Sequence, residues 1–268
     1  MSFDDGHSSR GDSTYPACDC GIAIMAKASL PGQAKTRLVP PLSFEEAAAF
    51  NTAFLQDIAD NLMLAGRQIS ISPYVAFGPP GSQPFFRQIL SENIELIDVW
   101  LPDFGRNLLF TMEEIFRRGH TSVVVLNSDS PTLPTSLLVE TARLLEQPGE
   151  RAVLGPSTDG GYYLLGLKRP YWQMFERIAW STEHVAEQTL ARAKEIDLDV
   201  HVLPVWYDVD DVEALRRLNG ELAAGRSGAA TLSLYPAPVT AALMSRLCRD
   251  ADLIRRIGVS VPLERLRA

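Results

Sequence analysis

From Gly21 to Ala26 the chain runs GIAIMA, six apolar residues without a polar break, the pattern of a strand buried on both faces. At Ser43 the period changes. Phe50, Phe54, Ile58 and Leu62 recur at every fourth position, Ser43 and Glu46 form a capping box, and Gly66 marks the end, so residues 43–66 predict a long helix. SISPYVAFGPPG predicts the next strand and turn, QPFFRQIL a short helix, and IELIDVW a further strand. GRNLLFTMEEIFRRG predicts a helix stopped by Gly119, and TSVVVLNSDSP the most apolar strand of the chain, ending in polar residues and Pro131. TLPTSLLVETARLLEQ reads as a helix, and RAVLGPSTDGGYYLLGL as two strands around a Gly-rich turn. STEHVAEQTLARAKEI predicts a helix, DVHVLPVWYDV a strand, and DVEALRRLNGELAAG a helix with Asp211 as its N-cap. Such alternation predicts an α/β fold, a three-layer sandwich around a mostly parallel central sheet.

The totals refine this picture without changing it. A chain of 268 residues is long enough for one large domain, and we divide it into a polar, unstructured tail over 1–19, a nucleotide-binding domain over 20–225, and a linker with a partly helical appendage over 226–268. A formal charge of −8 and a pI of 5.1 argue against nucleic acid or an anionic membrane as the main partner. No basic and apolar leader opens the chain and no apolar run approaches the length of a bilayer span, so a cytoplasmic protein with no membrane insertion is expected. Cys18, Cys20 and Cys248 form neither a disulfide framework nor a zinc spacing.

Against the acidic background one segment is anomalous. From Gly21 to Phe44 there is no Asp or Glu, yet Lys27, Lys35 and Arg37 fall in the loop after the first strand, around Pro31-Gly32. A strand passing through a Gly/Pro turn into a helix can hold phosphate by backbone N–H groups, the helix dipole and a lysine. The spacing of Gly32 and Lys35 excludes a Walker loop, and a solvated loop with scattered cations is the plain alternative. Asp129 sits at the carboxyl end of the most apolar strand, where ligands of open α/β sheets bind. Its neighbours Ser128 and Ser130 suit a turn or a cap, but a carboxylate there also suits a divalent cation. YDVDDVEAL adds Asp208 and Asp210, which share one strand face if the strand extends that far, so Asp129 and Asp210 could chelate one ion from two strand ends. Asp159-Gly160-Gly161 fits a hairpin turn equally with a close backbone approach to a substrate whose hydroxyls Asp159 would bond. In WST, Ser181 or Thr182 is most simply a helix cap, and no G-x-S-x-G nucleophile elbow occurs.

Taken in order, AKASLPGQAKTRLVPPL, VVVLNSDSPTLP, LGPSTDGGYYLLGL, WST and YDVDDVEAL resemble the blocks of a poorly characterised bacterial family, the "domain of unknown function 2064" family, over about Gly21 to Gly220. Its members are similar to GT-A glycosyltransferases of the nucleotide-diphospho-sugar transferase fold. The resemblance implies a transferase with a nucleotide or nucleotide-sugar substrate, a small-molecule acceptor and a divalent metal, Mg or Mn. It places Lys27, Gly32, Lys35, Thr36 and Arg37 at the nucleotide phosphates, Asp129 and Asp210 on the metal, and Asp129 and Asp159 in catalysis. It places Asp103, Gly160, Gly161, Ser181 and Thr182 on the substrate side. Two departures stand out. NSDS offers one carboxylate where sugar transferases carry D-x-D, and PDFGRNL keeps Asp103 and Gly105 of a Gly-Asp-Leu-Gly-x-Arg block but has its arginine at Arg106.

The leading expectation is metal-dependent glycosyl transfer from a nucleotide-diphosphate sugar. The alternative is a nucleotidyltransferase joining a nucleoside triphosphate to a phosphorylated small molecule, since Lys35-Thr36-Arg37-Leu38 equally resembles the loop of phospholactate guanylyltransferases. A non-catalytic nucleotide sensor is the third, and it alone tolerates loss of the Asp129 charge.

Overall fold

The computed structural model describes residues 20–224, 232–247 and 255–258; the expected tail over 1–19 lies outside them. Seven strands form one sheet: β1 (Cys20–Lys27), β2 (Ile71–Gly78), β3 (Glu95–Asp98), β4 (Ser122–Leu126), β5 (Ala152–Pro156), β6 (Tyr162–Leu167) and β7 (Val200–Val202). Their order is β3-β2-β1-β4-β6-β5-β7. Strands β1 to β4 are mutually parallel, β6 runs antiparallel to both β4 and β5, and β7 is parallel to β5. The helices are α1 (Phe44–Ala65), α2 (Gln83–Ile89), α3 (Phe104–Arg117), α4 (Thr135–Glu146), α5 (Val185–Glu195), α6 (Val212–Ala224) and α7 (Pro238–Leu247). This is the α/β sandwich with a mostly parallel sheet expected from the alternation.

Strand alternation divides the core between two faces. Ile22, Ile24, Val124 and Leu126 point into one layer with Phe50, Phe54 and Ile58 of α1, Leu138 of α4, Leu215 of α6 and Met244 of α7. Ala23, Val123 and Val125 point into the other, with Leu108, Met112 and Ile115 of α3 and Ala193 of α5. Burial on both faces is why the central strands read as unbroken apolar runs rather than as alternating ones.

Helix α1 starts where its cap dictates. Ser43 Oγ accepts from the Glu46 N–H at 3.1 Å, and the Glu46 carboxylate accepts from the Ser43 N–H at 2.7 Å. It stops after Ala65, although Gly66 keeps right-handed angles (φ −61°) and so does not form the left-handed cap expected there. A second carboxylate on α1 acts at long range. Asp57 is fully buried and accepts from the Val239 N–H at 3.0 Å and the Thr240 N–H at 2.7 Å, so a side chain of α1 satisfies the first turn of α7. Asp57→Ala would leave two N–H donors without their acceptor and is expected to cost about 1–3 kcal/mol. Urea unfolding followed by circular dichroism measures it, and a loss within error of zero would show that α7 does not depend on Asp57.

Two expected elements differ in extent. The strand predicted over 199–209 holds only for Val200–Val202. Pro204 has no N–H for a ladder, and beyond it contact with β5 is reduced to a bridge between Ser157 and Trp206. The helix predicted from Ser181 begins only at Val185, because residues 180–184 form turns packed on the Gly160 loop.

Candidate active site

A cleft of about 570 Å³ opens at the carboxyl ends of β1 to β4. That size suits a nucleotide-sized ligand, and the position is where parallel sheets bind one. Met25, Ala26 and Lys27 at the end of β1 form its floor, with Gly78 at the end of β2. Residues 33–37 form one wall, and Trp100, Leu101, Pro102 and Phe104 after β3 form another. Asp129 and Asp210 are the carboxylates of its lining.

The chain brings these two carboxylates together through its backbone. The Val209 N–H donates to the Asp129 C=O at 2.9 Å, and Ser130 Oγ donates to the Tyr207 C=O at 3.0 Å. Segment 207–210 is in turn clamped on α6. The Tyr207 hydroxyl donates to Glu221 Oε2 at 2.6 Å, and the Arg217 guanidinium lies 3.7 Å over the Tyr207 ring while bonding Glu221. Two turns that follow different strands thus act as one rigid ledge.

Lys35 meets this ledge. Its Nζ lies 2.6 Å from Asp210 Oδ1 and 2.7 Å from Asp129 Oδ1, with the Phe54 ring beneath it at 5.5 Å. The Lys35 side chain is 4% exposed, whereas Asp129 and Asp210 are 31% and 38% exposed. Burial alone would lower the pKa of the ammonium. The charges and hydrogen bonds of Asp129 and Asp210 outweigh it and hold the pKa raised, so Lys35 is a cation here. Its backbone adopts the left-handed conformation (φ 51°, ψ 39°) that turns the loop inward to a short 3-10 turn over Thr36–Leu38.

Behind the ledge, Asp208 Oδ1 accepts from Asn127 Nδ2 at 2.5 Å and from Ser130 Oγ at 2.8 Å. Burial first, then the charges of Asp129, Asp159 and Asp210, push the Asp208 carboxyl up to about 7, with the Ser130 hydroxyl acting in the opposite direction. Asp208 and Asp210 do not share a strand face. Asp208 turns inward to Asn127 and Asp210 outward to Lys35, because β7 has already ended.

Of the residues expected at the site, the cleft gathers Lys27, Lys35, Thr36, Arg37, Asp129 and Asp210. The others lie outside its lining. Gly32 makes a turn with φ +76°. Asp103 caps α3, its Oδ1 accepting from the Arg106 N–H at 2.8 Å. Asp159 Oδ1 accepts from Ser157 Oγ at 2.5 Å and from the Gly161 N–H at 2.9 Å, which closes the β5–β6 turn on itself. Gly160 supports the turn at 180–184 and accepts from the Ala186 N–H at 2.9 Å. Ser181 has φ +65°, and Thr182 Oγ1 donates to the Ala179 C=O at 2.7 Å; neither caps α5. The first turn of α1, which follows the basic loop, is occupied by its own capping box and does not line the cleft.

The aromatic wall was missed from the sequence. Trp100 and Phe104 are each 50% exposed. Trp100 lies flat against Gly78, where an added Cβ would fall 2.0 Å from its ring, and Lys27 Nζ lies 5.8 Å from its centroid. The available signal was two large aromatics on either side of Pro102, just after a strand end.

A divalent cation fits these residues, because two carboxylate oxygens already converge on one positive group, the Lys35 ammonium. Among the described residues no cluster of three or more His, Cys, Asp or Glu is arranged to hold a metal. Asp129 and Asp210 would be the two carboxylates that hold it, which suits a magnesium-like ion that keeps water and phosphate oxygens around it.

The family model described as "Uncharacterized protein conserved in bacteria (DUF2064)" matches residues 62–182. The resemblance read from the sequence is borne out. The DUF2064 match contains β4, Asp129 and the Gly160 turn, while the basic loop and Asp210 lie on either side of it. A solved structure from Desulfovibrio desulfuricans G20, provisionally named a nucleotide-diphospho-sugar transferase, is 26% identical with a TM-score of 0.73, covering 89% of this chain and 98% of that one. The cytidylyltransferase of Leptospira borgpetersenii is 13% identical with a TM-score of 0.52, covering 91% and 99% of the two chains. CMP:2-keto-3-deoxy-manno-octonic acid synthetase, solved with CTP, is 12% identical with a TM-score of 0.51, covering 77% and 99%. The last two share the fold. No curated protein matches the chain significantly. Among the described residues no helix is long and apolar enough to cross a membrane.

Proposed function

We propose that the protein is a transferase that moves a glycosyl group from a nucleoside-diphosphate sugar to a small-molecule acceptor. The observation that carries the proposal is the meeting of Lys35 with Asp129 and Asp210 in a cleft at the carboxyl ends of the parallel strands. Support comes from the 26% identical neighbour, whose provisional name is a nucleotide-diphospho-sugar transferase. Lys27 and Arg37 would draw the diphosphate into the cleft and orient it, and Trp100 and Phe104 would exclude water along the opposite wall. A divalent ion on Asp129 and Asp210, when bound, would neutralise charge on the departing diphosphate. Lys35 would add electrostatic stabilisation to the same oxygens.

Nucleotidyl transfer is the second reading. It is favoured by the carboxylate pair drawn from two separate segments in place of a D-x-D, and by the fold shared with a cytidylyltransferase and with a CMP-sugar synthetase solved with CTP. Phosphorus NMR of reaction mixtures separates the two. Release of a nucleoside diphosphate from a sugar nucleotide supports glycosyl transfer, and release of pyrophosphate from a nucleoside triphosphate supports nucleotidyl transfer. A folded protein that does neither with any common base, with magnesium or manganese present, would refute both.

A further inference from the structure

The carboxylates assigned to the metal are already occupied by a group of the protein itself. The Lys35 ammonium is within 2.7 Å of both, and its side chain is the buried member of the trio while Asp129 and Asp210 face the cleft. A divalent ion bound through Asp129 Oδ1 and Asp210 Oδ1 would compete with the ammonium that already contacts both oxygens, because two cations at such close range repel. We propose that Lys35 and a divalent ion are mutually exclusive occupants of Asp129 and Asp210, so that the ligand-free protein excludes metal until a phosphate group draws Lys35 away.

Three observations support the exchange. Lys35 lies between β1 and α1 in neither a helix nor a strand, just before the 3-10 turn Thr36–Leu38, so its side chain can swing without breaking either. The neighbouring cleft residues Thr36 and Arg37 are exposed, which leaves space beside Lys35 for an anion. The charges also balance. With Lys35 seated, one ammonium faces two carboxylates, whereas a divalent ion neutralises both and frees the ammonium for a phosphate oxygen. Metal and diphosphate would then each favour the binding of the other, as linkage requires. Lys35 thereby becomes a residue that sets the order of assembly, in addition to its place beside the diphosphate.

This inference rests on the assignment of Asp129 and Asp210 to a metal, and the test separates the two. Manganese binding in the absence of nucleotide is measured by electron paramagnetic resonance of free Mn(II), for the wild-type chain and for Lys35→Met and Lys35→Gln. Removal of the competing ammonium is expected to tighten manganese binding about tenfold or more, equivalent to about 1.4 kcal/mol. Manganese should also raise the melting temperature of the variants more than that of the wild type. Adding Asp129→Asn to Lys35→Met should abolish the gain. If manganese binds the wild type and both folded variants equally, the exclusion is overturned while the metal site stands. If it binds none of them, or if Asp129→Asn leaves the binding intact, the metal assignment falls and the exclusion with it.

Discussion

Asp129→Asn is expected to lower transfer by about 10²–10³-fold while leaving the fold intact, a loss of the size seen when one electrostatic partner of a developing charge is removed. The substitution keeps the shape of the side chain and leaves the Asp129 C=O free to accept from the Val209 N–H, so the ledge stays assembled. What changes is the charge facing Lys35 at 2.7 Å and, when metal is bound, one of its two protein oxygens. The effect should fall on turnover more than on nucleotide affinity, because Lys27 and Arg37 also line the cleft. Steady-state release of the nucleotide product, with thermal unfolding as a control, measures it. Turnover near that of the wild type in a folded variant would place the chemistry elsewhere. An unchanged cellular phenotype in Asp129→Asn beside its loss in Lys35→Ala would point to a nucleotide sensor.

The largest stability effect is expected at Gly160. An added Cβ there would lie 2.0 Å from the backbone oxygen of Glu183, at a φ of +88° that L side chains rarely adopt. Backbone cannot rotate away as a side-chain tip can, so the turn joining β5 to β6 must separate from the segment that leads into α5. Gly160→Ala is therefore expected to cost about 3 kcal/mol or more, the sum of a left-handed penalty and overpacking. Gly149 supplies the control, since it has φ +90° but no heavy atom within 4 Å of an added Cβ. Gly149→Ala should show the backbone penalty alone, about 1–2 kcal/mol. Equal losses for the two variants in urea unfolding would show that the approach of Glu183 to Gly160 does not hold the turn.

That contrast also shows how far a sequence can be read. Asp159-Gly160-Gly161 was open between a hairpin turn and a substrate contact, and its residues suit both. The choice depends on Asp159 bonding Ser157 and Gly161, and on Glu183 lying against Gly160. Asp103 and Thr182 were placed on the substrate side by the family resemblance, yet each makes a local hydrogen bond within three residues. Such bonds compete with function for the same polar side chains, and residue type alone does not decide between them.

Local signals were dependable wherever the controlling interaction spans a few residues. The capping box of Ser43 and Glu46, the cap at Asp211 whose Oδ1 accepts from the Ala214 N–H at 2.8 Å, and the apolar runs of β1 and β4 all follow from neighbours along the chain. By itself the sequence determined the α/β alternation, the burial of the central strands on both faces, and the gathering of cations after β1 in an acidic chain. Only the tertiary structure decided that β7 ends at Val202, that Trp100 and Phe104 wall the cleft, and that Lys35 is seated between Asp129 and Asp210. The physical reason is separation. Lys35 and Asp210 are 175 residues apart, and no periodicity, cap or turn preference acts over that distance; the sheet order and the Val209–Asp129 backbone bond bring the charges together.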